Sequence, residues 1–144
     1  LSLAHEFGAT TTINASTENP VEIVKDLTEG KGAERVIIVT GNKKAIETAI
    51  EMASIPGECF QVGVPVVGET ISINGHALMH KRNISGSLGG SIFPDRDIPA
   101  YMRLNDCGKI NAKRLITKVL PFEKINDGFD FVRSNNPGRI IIKF

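Results

Sequence analysis

Two hydrophobic rhythms take turns along this chain, helical spacing followed by a short unbroken apolar run. Leu1, Leu3, Ala4 and Phe7 fall on one helical face and Gly8 follows, which predicts the closing turns of a helix. The β-branched run at 10–14 predicts a short strand. Asn19, Pro20 and Glu22 then mark a helix start. Asn can cap, Pro suits the first turn, and Glu three residues on can return a bond to the backbone. Val21, Ile23, Val24 and Leu27 give that helix a buried stripe, and the turn at 30–32 ends it. Residues 35–40 are almost wholly apolar, the pattern of a parallel strand covered on both faces. A second helix is predicted over about 43–54, with Ile46, Ala49, Ile50 and Ala53 inward and Pro56-Gly57 closing it. Another strand follows at 58–63.

Past Gly63 the rhythm changes. Residues 70–74 alternate like a half-exposed edge strand, and 83–88 form another strand candidate. A helix over 94–107 would turn Ile98, Tyr101, Met102 and Leu104 inward. Residues 115–120 read as extended and 122–133 as a helix with Ile125, Phe129 and Val132 aligned. The terminal strand covers 139–144. Strands and helices in this order argue an α/β chain built from βαβ units with right-handed crossovers.

Composition adds limits more than leads. A chain of 144 residues has room for one domain with one core. Formal net charge is +1, from 17 basic and 16 acidic residues, so neither a nucleic acid nor a membrane surface is an expected partner. No apolar run approaches the ~20 residues that cross a bilayer. No segment reads as a signal or transit peptide, and a cytoplasmic location is expected. His80-Lys81-Arg82 reads as a solvated turn. Cys59 falls in an apolar strand and Cys107 near a helix end; both read as structural, and a disulfide is not expected. His5, His76 and His80 do not cluster with either cysteine at metal-ligand spacing, so no metal site and no catalytic residue is assigned.

Ligands of open α/β sheets bind beyond the carboxyl ends of the strands. Three predicted strands here end on small residues: Thr40-Gly41, Gly63-Val64-Pro65 and Ser87-Leu88-Gly89-Gly90. Glycine lets a ligand approach the main chain, although it also simply terminates strands. The segment 85–91 is not a phosphate loop. No G-x-G-x-x-G hexapeptide and no G-K-[ST] tripeptide occurs in this sequence, and Gly89-Gly90 reads as a tight turn after a strand. Arg139, between Gly138 and an apolar strand, could present its fork of donors to a phosphate, or pair with a carboxylate such as Asp127 or Asp130. Glu123 and Asp127 read as a solvated helix face.

The stretches LITKVLPFEKINDGFDFVRS and GRIIIKF resemble the carboxyl-terminal end of zinc-type medium-chain alcohol dehydrogenases. Upstream, NPVEIVKDLTEGKGAERVIIVTGN, CFQVGVP and ISGSLGGS are similar to that family's middle and late βα units, so the resemblance covers nearly the whole chain. It implies a partial Rossmann-type doubly wound parallel sheet over residues 1–144, lacking its first βαβ unit, together with the family's carboxyl-terminal segment. It also implies that Val39, Thr40 and Gly41 pack against adenosine. Val62, Gly63 and Val64 would lie on the nicotinamide side with the main chain of Ser87, Leu88 and Gly89, and Arg139 on the pyrophosphate. Asn42 stands where relatives often carry a basic residue.

On this resemblance the coenzyme is NAD, with NADP not excluded, and zinc belongs to the parent enzyme and not to this chain. The substrate would be a small alcohol or carbonyl compound, and the assembly a homodimer or tetramer. The isolated piece is expected to be inactive. Two alternatives stand beside this reading: a zinc-free quinone-oxidoreductase-like reductase, and a non-enzymatic assembly module using the 71–73 edge. An unpaired sheet edge would make the chain marginal alone, or completed by a partner chain.

Overall fold

The computed structural model describes residues 1–134 and 138–144. Where length alone left room for one core, the chain packs as two compact units, Leu1–Ser91 and Ile92–Phe144.

The first unit opens with α1 (Ser2–Glu6) and, after an irregular stretch, α2 (Pro20–Leu27). Asn19 caps α2 by accepting from Val21 N at 3.1 Å, as its residue type predicts. Strand β1 (Ala33–Ile38), helix α3 (Lys43–Met52) and strand β2 (Ala53–Gln61) follow, then α4 (Gly75–Met79) and β3 (Asn83–Gly86). The sheet is parallel with order β1-β2-β3. Val36, Cys59 and Ile84 stand level across it. They meet α3 in a core of Ile38, Ile46, Ala49, Ile50, Ala53 and Cys59, with Met52 packed alongside. Burial of Ile46 to 2% contributes on the order of 1.5–3 kcal/mol.

The opposite face behaves differently. Ile37 lies level with Phe60 and Ser85, and it is 68% exposed, so the expected cover on both faces of this strand is absent on one. The apolar run alone could not separate one covered face from two. Residues 10–14 form no strand, because among the described residues no neighbour offers them a ladder; Thr12 Oγ1 instead meets His5 Nε2 at 3.0 Å. Residues 70–74 are likewise irregular, and Ser72 N donates to Glu47 Oε1 at 2.7 Å rather than to a strand. Helix α3 stops at Met52, and Pro56-Gly57 lies within β2 instead of closing the helix. The close approach of Ser54 O to Gly57 leaves no space for a side chain there.

Arg82 is not part of a solvated turn. Its guanidinium is half-buried and bonds the carbonyls of Ala53 and Ser54, tying the entry of β3 to the start of β2.

The second unit holds α5 (Pro94–Asp106), β4 (Ile116–Pro121), α6 (Ile125–Arg133) and β5 (Arg139–Lys143). Asp97 anchors the start of α5 by accepting from Phe93 N at 2.9 Å. The Arg96 guanidinium, and then that amide, hold its carboxyl below the usual range. Strands β4 and β5 pair in parallel, with Leu120 opposite Ile142. Helix α6 lies on them through Gly128, where an added Cβ would only touch Leu120, Ile140 and Ile142. The stripe expected inward is only partly so: Ile125 is half-buried, while Phe129 and Val132 are exposed. On α5, Ile98, Tyr101, Met102 and Leu104 are all exposed, against the inward placement their spacing predicts. Periodicity identifies an apolar face, not what covers it.

Close backbone approach sets the carboxyl ends of β1 and β2. An added Cβ on Gly63 would strike the main chain of Thr40, and one on Gly41 the carbonyl of Val64. Gly63→Ala should therefore cost about 1–3 kcal/mol, read as a lower urea midpoint at unchanged slope; an unaltered midpoint would show that the approach is relieved freely. Cys59 is fully buried and Cys107 exposed. Burial pushes the Cys59 thiol up, partly opposed by the charge of Arg82. A thiol reagent near neutral pH should titrate Cys107 in the native chain and reach Cys59 only in denaturant. Equal rates for both would contradict the packing.

Candidate functional site

Because the three strands are parallel and Ile38, Gln61 and Gly86 stand level, the segments 39–41, 62–64 and 87–89 leave the sheet along one rim. That rim brings together Val39, Thr40, Gly41, Val62, Gly63, Val64, Ser87, Leu88 and Gly89. Main-chain bonds stitch it. Val62 N and Gly63 N both donate to Ile38 O at 2.9 Å, and Ser87 N donates to Gln61 O at 2.9 Å.

Its surface is mostly apolar. Val39, Val64 and Leu88 are 74%, 80% and 92% exposed. The turn beyond β3 carries Gly89 and Gly90 at φ of 57° and 75°, a left-handed pair that keeps the main chain bare. Gly41 also lines an open hollow of about 660 Å³ with Asn42, Lys43, Lys44, Glu47, Val66 and Glu69. A larger hollow of the same unit, about 920 Å³, lies at the opposite end of the strands, lined by Arg35, Glu58 and Asn83 among others. The rim thus presents exposed valine and leucine side chains beside main chain left bare at Gly89 and Gly90. The nine residues brought together on it include no carboxylate, amine, imidazole or thiol side chain.

The glycines of this rim serve the backbone first. At Gly41 and Gly63 the space that a side chain would need is taken by Val64 and Thr40, not left for a ligand. Gln61 completes the arrangement: its Nε2 donates to Thr40 O at 3.0 Å and also to Gly63 O, so one amide bridges both strand ends. Its Oε1 is buried and has no partner among the described residues. Sequence reasoning passed Gln61 over. The signal was a lone polar residue inside the apolar run at 59–62. Asn42 caps α3 by accepting from Ala45 N at 3.0 Å, so its side chain is already engaged.

Arg139 belongs to the second unit and stands at the start of β5. It is exposed, and its Nη1 donates to Gly138 O at 3.3 Å. Gly138 has φ of 102° and is crowded by Thr117 and Leu115 O, so only glycine suits that approach. Asp130, one of the two carboxylates considered for Arg139, pairs with Arg133 at 3.1 Å.

Among the described residues no three His, Cys, Asp or Glu side chains come close enough to hold a metal ion. Also among them, no helix is long and apolar enough to cross a membrane.

Comparison with known proteins agrees with this architecture. The family model described as zinc-binding dehydrogenase matches residues 1–106. The chain is 30% identical to an L-threonine 3-dehydrogenase of Bacillus subtilis over 143 residues, which is 99% of this chain and 40% of that protein. It is 29% identical to the L-threonine 3-dehydrogenase of Bacillus velezensis over 142 residues, with the same two shares. The crystal structure of a benzyl alcohol dehydrogenase from Acinetobacter calcoaceticus superposes with a TM-score of 0.94 at 30% identity, covering 100% of this chain and 40% of that one. The chain thus spans about 40% of the length of these relatives. With a matching family model over most of its length and the parallel sheet in place, the chain belongs to the zinc-binding dehydrogenase family.

Proposed function

We propose that this chain supplies the later strands of a nicotinamide-coenzyme site in a dehydrogenase that interconverts a small alcohol and its carbonyl compound. The observation that carries the reading is the level ending of β1, β2 and β3, which gathers the glycine-bearing strand ends on one rim. In the reading, Val39, Thr40 and Gly41 lie along the adenosine, and Val62, Gly63 and Val64 along the nicotinamide. The exposed side chains of Val64 and Leu88 would shield one face of that ring from water. The main chain of Ser87, Leu88 and Gly89 would hold its carboxamide by fixed donors and acceptors. When bound, the nicotinamide supplies the acceptor or donor of a hydride.

Arg139 would face the pyrophosphate, where a guanidinium gives charge-assisted, paired bonds. Support for this is its exposure and its position beside a glycine that no side chain could replace. The coenzyme is NAD or NADP, the substrate a small alcohol or carbonyl compound, and the assembly a homo-oligomer. Relatives at 40% coverage hold the remainder of their length outside the region matched here. The 144 residues on their own are therefore read as part of a coenzyme site and as catalytically inactive.

In a dehydrogenase carrying this sequence, Arg139→Ala should raise the NADH dissociation constant roughly 10- to 100-fold, measured by fluorescence titration. An unchanged constant would remove Arg139 from the site. The 144-residue chain itself should bind NADH weakly or undetectably; micromolar affinity would overturn its reading as a partial site.

A further inference from the structure

Helix α4 is a single turn held firmly at one end. The Asn74 side chain accepts from His76 N at 3.0 Å, and Ala77 is buried beneath. His76 lies on this turn and His80 closes it, one turn later on the same side. Both residues are exposed. Their Nε2 atoms stand 3.2 Å apart, with ring centroids at 4.4 Å.

Imidazole nitrogens bind zinc-like cations at about 2.0–2.1 Å, and two such ligands on one ion then lie about 2.9–3.4 Å from each other, according to whether the angle is square or tetrahedral. The observed separation falls within that window. Without an ion, the same approach needs one ring N–H to donate to the lone pair of the other. A cation can replace that proton, with both rings presenting lone pairs.

We propose that His76 and His80 form a two-imidazole chelate for a borderline divalent transition cation such as Ni²⁺, Zn²⁺ or Cu²⁺, with water filling the other positions. Charges around it are mixed. Glu51, Lys25 and Arg82 share a hollow with His76, and Lys81 follows His80 directly. The affinity therefore comes from the two lone pairs rather than from a local negative field. Oxygen-seeking Mg²⁺ and Ca²⁺ find nothing to favour them there. His5 provides an internal control, since its ring already meets Ala9 O at 2.8 Å and Thr12 Oγ1 at 3.0 Å.

The test is calorimetric titration of the whole 144-residue chain with nickel chloride, in a Cys107→Ser background so that the exposed thiol does not compete. About one equivalent should bind, and His76→Gln and His80→Gln should each weaken binding roughly tenfold or more, since a chelate falls to a single ligand. His5→Gln should leave binding unchanged, and magnesium chloride should give no binding heat. Thermal melts check that each variant folds, and either histidine variant alone suffices. Absence of nickel binding, or binding that survives both substitutions, overturns the proposal.

Discussion

The close contact between the ends of β1 and β2 fixes the rim of the first unit. Thr40 and Gly63 approach until no side chain fits between their main chains, and the Gln61 amide bridges the two carbonyls. Parallel strands need no such lock to pair, because their ladder bonds are evenly spaced and local. A ligand edge does need it, since the geometry of bare main chain is useful only if neighbouring segments keep their relative heights. The polar cost of burying an amide in an apolar strand is offset by the two bonds that Nε2 donates, while Gln61 Oε1 stays unmatched among the described residues.

That lock also separates two meanings of glycine that pattern alone confuses. Gly41 and Gly63 are small because another backbone occupies the place of a side chain. Gly89 and Gly90 have open space around them and positive φ, so they shape a turn rather than relieve a contact. Both kinds sit near the carboxyl ends of the strands, within the residues 1–106 that match the zinc-binding dehydrogenase model. The second kind leaves open space around its main chain.

Much of the fold was legible from residues whose local chemistry has one main outcome. Asn19 caps the helix that follows it, and the core stripe of Ile46, Ala49 and Ile50 on α3 is buried as its spacing predicts. The misreadings share a cause. Residues 10–14 carry strand-forming side chains, but a strand exists only through a partner, which lies outside local sequence. Ile98, Tyr101 and Phe129 repeat at helical spacing yet remain exposed, because period reveals a face and not its cover. Gln61 and Arg82 act through contacts 21 and 29 positions away, so no motif could announce them.

The parallel ladders carry a kinetic consequence. Arg35 pairs with Glu58, Glu58 with Asn83, and Ile116 with Arg139, so each ladder joins residues far apart in the sequence. No ladder among the described residues is a hairpin that could zip from a tight turn. Loop-closure entropy must be met before any strand pair rewards it, which makes such topologies slow to fold. An α3 formed early would shorten the path between β1 and β2 before their amides meet. Until it forms, apolar strands emerging during synthesis wait unpaired, and the race between helix formation and intermolecular association decides the yield of native chain.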